Sequence, residues 1–179
     1  MQIPWLVPVD PAVYAADVKN VGLPVFKECP ICKSSVRLHR HGFYSRYAVV
    51  REVESIIKIC RYLCPSCQGT ISLLPFFIFS YFQHDKNSIL TSLRAFLSGK
   101  KQVSVFSRQL VSFWCRRFLD NLPAIISALR ERGWLDILPG DDRKKAIKAA
   151  ERLSLSPSDT TSWVNLHNRV LANFMALSF

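Results

Sequence analysis

The spacing of apolar positions changes period once along this chain, at Asp85. Upstream, residues 36–47 (VRLHRHGFYSRY) and 53–63 (VESIIKICRYL) have the two-residue alternation of strands. In the first, Arg37, His39 and His41 would share one side and Leu38 and Arg40 the other. In the second, Ile57, Ile59, Arg61 and Leu63 share a face, with Lys58, Cys60 and Tyr62 opposite. Residues 70–84 (TISLLPFFIFSYFQH) predict a last strand running into an apolar connector. Leu73, Leu74, Phe76, Phe77, Phe79, Tyr81 and Phe82 are too many to leave in water.

Downstream the period is helical. Asp85 is placed to cap a helix with Ile89, Leu90, Leu93, Phe96 and Leu97 on one stripe, and Gly99 to stop it. Ser107 is placed to cap a second helix over 108–119 (RQLVSFWCRRFL). Its apolar stripe is Leu110, Phe113, Trp114 and Phe118, and its polar face Arg108, Gln109, Ser112 and Arg116. A third helix spans 123–132, with Pro123 at its first position and Gly133 at its end. A fourth spans 142–153, capped by Asp141 or Asp142, with Lys144, Lys145 and Lys148 on a basic face. A last one, about 160–177, aligns Trp163, Leu166, Val170, Leu171 and Phe174.

Ahead of the strands, Pro4, Pro8, Pro11 and Pro24 suggest an extended arm. The expected division is therefore an arm at 1–26, a strand module with its connector at 27–84, a helix-turn-helix-like region at 85–133, and C-terminal helices at 134–179. The expected fold class is α+β, a small β zinc ribbon followed by an all-helical, helix-turn-helix-like domain.

The metal in that description comes from four cysteines. Cys29-Pro30-Ile31-Cys32 and Cys64-Pro65-Ser66-Cys67 are separated by 31 residues. Each Cys-x-x-Cys turn aims two thiolates at one point, and two such turns supply the tetrahedral set of one Zn²⁺ ion. Each proline restricts its turn in advance. Four thiolates leave no open position for water, so the expected zinc is structural and not hydrolytic. Two disulfides are the competing use, but they need an oxidising compartment. Cys60, four residues before Cys64, is expected to be a packed thiol and not a ligand.

Composition narrows the partner. The 179 residues carry a net charge of +11 and are 49% hydrophobic, which argues for a folded, basic protein that meets nucleic acid. Residues 86–120 hold seven Lys/Arg against one acid, +6 of that excess. Phosphate contacts are expected there, at Lys100, Lys101, Arg116 and Arg117, with Arg108, Gln109 and Ser112 towards base edges. Arg37, His39, Arg40 and Arg46 of the strand module are expected to support them. His39 and His41 could equally be solvated strand residues. No apolar run reaches the roughly 18 residues of a membrane span. The N-terminus lacks the basic start of a signal peptide, so a cytoplasmic, nucleoid-associated location is expected. No Ser/His/Asp order, phosphate-cradling glycine loop or paired strand carboxylates suggest an enzyme.

Leu38-His39-Arg40-His41-Gly42-Phe43-Tyr44-Ser45-Arg46, Arg61-Tyr62-Leu63-Cys64-Pro65-Ser66-Cys67 and Leu74-Pro75 follow the first Cys-Pro-x-Cys. This order resembles the N-terminal zinc ribbon of bacterial insertion-sequence transposases. It is closer to small uncharacterised bacterial proteins that carry such a ribbon ahead of a helix-turn-helix. In that pattern a helix reads Ser-x-x-Thr-Val-x-x-Trp-x-x-Arg-Phe. Here Ser107, Val111, Trp114, Arg117 and Phe118 match, and Leu110 stands in place of the threonine. The resemblance covers roughly 27–120 and implies DNA binding linked to mobile elements. Two departures qualify it. Seven residues separate Gly99 from Ser107, more than a compact helix-turn-helix uses. No strand pattern after residue 85 could carry a transposase's metal-binding carboxylates, and 179 residues leave no room for that core.

The expectation is thus a double-stranded-DNA-binding protein with one structural Zn²⁺, a mobile-element-associated accessory or regulatory factor without catalytic activity. Two alternatives stand beside it. One is a protein-protein interaction module, pairing with a partner or a second copy through the C-terminal helix. The other is an RNA-binding ribbon that stacks unpaired bases on residues 40–47.

Overall fold

A computed structural model describes residues 1–99, 106–131, 133–135 and 137–154. The architecture is α+β, and the chain divides into two compact units, Met1–Ile78 and Phe79–Phe179. The boundary divides the apolar connector: residues up to Ile78 join the first unit, and Phe79 and Phe82 join the second unit's core.

The first unit is built on a four-stranded sheet. Its strands are β1 (Gln2–Trp5), β2 (His39–Val50), β3 (Val53–Leu63) and β4 (Thr70–Pro75), in the order β1-β4-β3-β2. β2, β3 and β4 are antiparallel, and β1 runs parallel to β4 at the edge. The first residues of the expected extended arm therefore add a strand to the sheet. The Met1 amino group donates to the Thr70 carbonyl at 3.0 Å, and Phe76 N–H donates to Trp5 O at 2.8 Å. Pro4 is tolerated because an edge strand can do without one ladder donor.

The rest of the arm folds over the sheet. Asp10 caps the short helix α1 (Pro11–Ala16), accepting from Ala12 N–H at 2.9 Å, and Pro11 opens it. Asp17 ends α1 and caps a 3₁₀ turn, Val18–Asn20. Tyr14 is fully buried between Trp5 and Phe77, and its hydroxyl donates to the Lys58 carbonyl at 2.7 Å. Burial raises its phenol well above the ordinary value.

The sheet is therefore covered on both faces. On one, Val7, Tyr14, Val18 and Val21 pack on Ala48, Ile57, Ile59 and Leu74. On the other, Ile3, Leu38, Cys60, Tyr62, Ile71 and Leu73 form a second core with Cys29 and Cys64. Tyr62 donates to the Pro24 carbonyl at 2.7 Å and meets Phe26 edge-on. Burial, then the neighbouring Cys60, pushes its phenol up to about 12.

One expected alternation fails. β2 bulges between Arg40 and Gly42, leaving His41 outside the ladder, with Gly42 at φ +114°. His39 no longer shares a strand face with His41. Arg40 pairs with Tyr62 and Phe43 with Cys60, so Arg40 and Phe43 lie on one face although three residues apart. The hairpin itself closes on Arg51 and Glu52, both at positive φ (+50° and +67°), between the paired Val50 and Val53. That is the geometry of a two-residue type I′ turn, which prefers Asn-Gly.

The second unit is helical over its described residues. α2 (Lys86–Leu97) starts at Asp85, which accepts from Ser88 N–H at 3.0 Å, and stops at Gly99 with φ +68°. α3 (Arg108–Asp120) starts at Ser107, which accepts from Leu110 N–H at 3.3 Å. α4 (Leu122–Arg130) carries Pro123 at its second position, not its first, because Asn121 is the capping residue. It ends where Gly133 N–H donates to Arg130 O and Trp134 N–H to Leu129 O. In α5 (Asp142–Ser154), Lys144 N–H donates to Asp141 at 2.8 Å, so Asp141 is the cap. Leu90, Leu93, Trp114, Phe118, Ile125, Leu129, Ala149 and Leu153 share one core. The expected helix over 160–177 lies outside the described residues.

The buried stripe of α3 is Val111, Trp114, Cys115 and Phe118, spaced i, i+3, i+4 and i+7. This corrects the expected stripe: Leu110 is only partly buried and Phe113 is 47% exposed. Trp114 fills the interior beside Phe106 and His84, whose imidazole is held below its ordinary value by burial.

Two stability predictions follow from strained positions. Glu52→Gly should raise the unfolding midpoint of the isolated first unit's transition by relieving a left-handed residue, about 1 kcal/mol, while Glu52→Val should lower it; calorimetry decides. The second position is Lys86, buried at 4% exposure. Burial, against the pull of Asp85, brings its ammonium down to about 8 from 10.5. Below about pH 8 both folded and unfolded chains hold the proton, and the cost of burying the charge is present in full. Between there and 10.5 the unfolded chain binds more protons, so stability rises with pH. Lys86→Met should therefore stabilise the protein more at about pH 7 than at about pH 10, as measured by denaturant titration.

Candidate metal centre and basic surfaces

The two Cys-Pro-x-Cys turns have one backbone plan. Cys29 N–H donates to Ser34 O at 2.9 Å and Lys33 N–H to Cys29 O at 2.9 Å. In the second turn Cys64 N–H donates to Gly69 O at 3.1 Å and Gln68 N–H to Cys64 O at 3.0 Å. The residue after each second cysteine is left-handed, Lys33 at φ +61° and Gln68 at φ +56°. The first turn lies in the segment before β2, and the second connects β3 to β4.

The sheet and its cover bring the turns together. The four sulfurs of Cys29, Cys32, Cys64 and Cys67 all lie within 4.8 Å of one another. Cys29 and Cys67 are 3.9 Å apart, and Cys32 and Cys64 3.8 Å. A disulfide needs about 2.05 Å, and all four are free thiols. A regular tetrahedron with metal–sulfur bonds of about 2.3 Å has edges of about 3.8 Å. The cluster can thus hold one metal ion without rearranging its chain. Cys29 and Cys64 are buried in the sheet core, whereas Cys32 and Cys67 are exposed.

Close packing keeps the turns in register. A Cβ on Gly69 would come 2.7 Å from Ile31 Cδ1 of the other turn and 3.1 Å from Cys67 Sγ. A larger residue there would push Ile31 aside and press on the Cys67 sulfur by a few tenths of an ångström. Cys60, as expected, lies outside the cluster: it is fully buried in the sheet core, and burial raises its thiol.

The electrostatics favour a cation. Ser34, through its hydroxyl and then its backbone N–H, brings the Cys32 thiol down to about 6. The backbone N–H groups of Cys67 and Ser66 lower Cys64. At Cys67 the Gly69 N–H also favours the thiolate, but burial and the neighbouring sulfurs outweigh it and push the group up to about 11. A compact set of sulfurs resists gathering its last negative charge until a metal compensates it.

Elsewhere on the first unit, Arg37, His39 and Arg40 wall a concavity of ≈ 370 Å³, with Leu38, Tyr62, Pro24 and Val25 also lining it. All three basic residues are exposed. Arg46 differs: it is half-buried, and burial lowers its guanidinium while Tyr44 pulls it back up. Arg61, which the strand pattern placed on an apolar face, stacks at 4.6 Å over the Tyr44 ring. Its place follows from the Tyr44–Ile59 register two pairs along, which single-strand alternation does not reveal.

On α3, Arg108, Gln109 and Arg116 are exposed and Ser112 is half-buried. No carboxylate lies within ion-pair distance of Arg108 or Arg116 among the described residues. Arg117 is half-buried, its guanidinium 5.2 Å from the Phe113 ring and 5.8 Å from the Phe82 ring. Lys100 and Lys101 lie outside the described residues. Among those described, no helix is long and apolar enough to cross a membrane.

No protein-family model, curated protein or solved structure matches the chain.

The cluster makes a sharp distinction among cysteines. Cys64→Ser should abolish metal binding and the cooperative unfolding of the first unit, since a structural zinc ion contributes on the order of 10 kcal/mol to folding. Cys60→Ala should keep one metal per chain and lose only packing energy, about 1–3 kcal/mol. Metal analysis beside thermal unfolding of both variants checks this.

Proposed function

We propose that this chain is a DNA-binding protein in which one structural zinc ion, held by Cys29, Cys32, Cys64 and Cys67, shapes a ribbon ahead of a helix-turn-helix-like helical region. Zinc is favoured because four thiolates in a tetrahedral arrangement suit it and its geometry requires no further ligand. α2 and α3 serve as the helix pair, and α3 enters the major groove.

One observation carries the DNA reading. The solvent face of α3 presents Arg108, Gln109 and Arg116 while the opposite side is committed to the core. Its N-terminal turn is where a recognition helix meets base edges, arginine pairing with guanine and glutamine with adenine. Arg116, two turns on, is suited to phosphate. Asp120 at the far end is exposed and acidic, so contact belongs to the first turns. Arg37, His39 and Arg40 add a phosphate-binding surface on the ribbon, and Lys100 and Lys101 add charge before α3. The resemblance to insertion-sequence ribbons suggests an accessory or regulatory role linked to mobile elements.

The test is duplex binding against salt, using a site selected from random sequence. Arg108→Ala or Gln109→Ala should cost about 1–3 kcal/mol on the selected site and little on unrelated duplex. Arg37→Ala should weaken both alike and reduce the salt slope by about one. Equal losses on both duplexes from all three would remove base reading from α3, and stronger competition by single-stranded RNA would replace the duplex as ligand.

A further inference from the structure

Phe113 and Leu119 are the large apolar side chains on α3 that the core does not use, and Phe113 is the more exposed. It is 47% exposed, while Val111, Trp114, Cys115 and Phe118 complete the buried stripe. At 100° per residue, Gln109, Phe113 and Arg116 fall on the line of the helix farthest from that stripe. The ring is also restrained: Arg117 lies against it at 5.2 Å and reaches the Phe82 ring at 5.8 Å. A cation held between two rings limits the positions Phe113 can take, so little freedom remains to be lost on contact.

We infer that Phe113 contacts thymine, its ring packing against the C5-methyl group in the major groove. The inference rests on the DNA reading above and names what this position recognises. Arg116 and Arg117, about 60° and 40° around the helix from Phe113, complement a polyanion and not an apolar protein surface, and the exposed Asp120 is confined to the last turn. Within the major groove the thymine methyl is the apolar group that a base pair offers, and phenylalanine is among the side chains that meet it. Gln109 lies four residues earlier, about 6 Å along the axis, or roughly two base-pair steps. The preferred site should therefore hold a thymine within about two steps of the adenine that Gln109 pairs with.

Replacing thymine by deoxyuridine removes the methyl alone. With the zinc-loaded full chain and the selected duplex, one thymine-to-deoxyuridine exchange should weaken wild-type binding about fourfold, the worth of one buried methyl. Phe113→Ala should bind the parent duplex less tightly and be indifferent to the exchange. Phe113→Leu should recover part of the sensitivity. An unchanged circular dichroism spectrum guards against loss of fold. Wild-type indifference at every thymine, with salt-dependent binding retained, would overturn the thymine contact and leave the DNA reading standing. Equal sensitivity in wild type and Phe113→Ala would overturn it as well. Absence of duplex binding at low salt would overturn both.

Discussion

Four thiols converge from two turns that are far apart in sequence, and the first unit is arranged around that convergence. One turn precedes β2 and the other joins β3 to β4, so the strands between them must pair in a single register for the sulfurs to meet. The inner cysteines, Cys29 and Cys64, belong to the same core as Cys60, Tyr62 and Leu73. An ion bound there would close a loop of chain while the core orients its ligands, so that metal binding and sheet packing would be one event. Gly69 and Ile31 mark how close the two turns come.

The sheet compensates for its small size by being covered on both sides. A four-stranded ribbon with one bare face would leave either Ile57 and Ile59 or Tyr62 and Leu73 in water. The N-terminal arm prevents this. Its first residues add an edge strand, α1 covers one face through Tyr14, and the segment with Phe26 and Leu38 closes the other. The helical unit stands on its own core around Trp114 and Phe118, and this frees the opposite side of α3 for a ligand. In both units the polar surface is left over after burial is satisfied, and the proposed function uses that remainder.

Much of this was legible from spacing alone. The limits of β3, the caps Asp85 and Ser107, the stop at Gly99 and the four-cysteine set all follow from local rules: alternation, capping oxygens, a left-handed glycine, ligand spacing. The misses have physical causes too. Prolines at positions 4, 8 and 11 suggested an extended arm without regular elements of its own, yet Pro4 sits on an edge strand and Pro11 opens a helix, the two places where a missing N–H costs least. The bulge at His41 shifted which residues share a face, and no local pattern announces a bulge except Gly42. On α3, Phe113 and Trp114 are both aromatic. Choosing between them required knowing that Cys115, a small residue, faces inward with Val111. The arginines could be placed on elements but not given partners, and Arg46 and Arg117 proved to be engaged with rings and burial.

X-ray absorption at the zinc edge, on protein purified without added metal, addresses the central claim most directly. One zinc per chain is expected, with a first shell of four sulfurs at about 2.3 Å and no light scatterer. A shell containing nitrogen or oxygen, or a protein that is folded and cooperative with no metal bound, would contradict it.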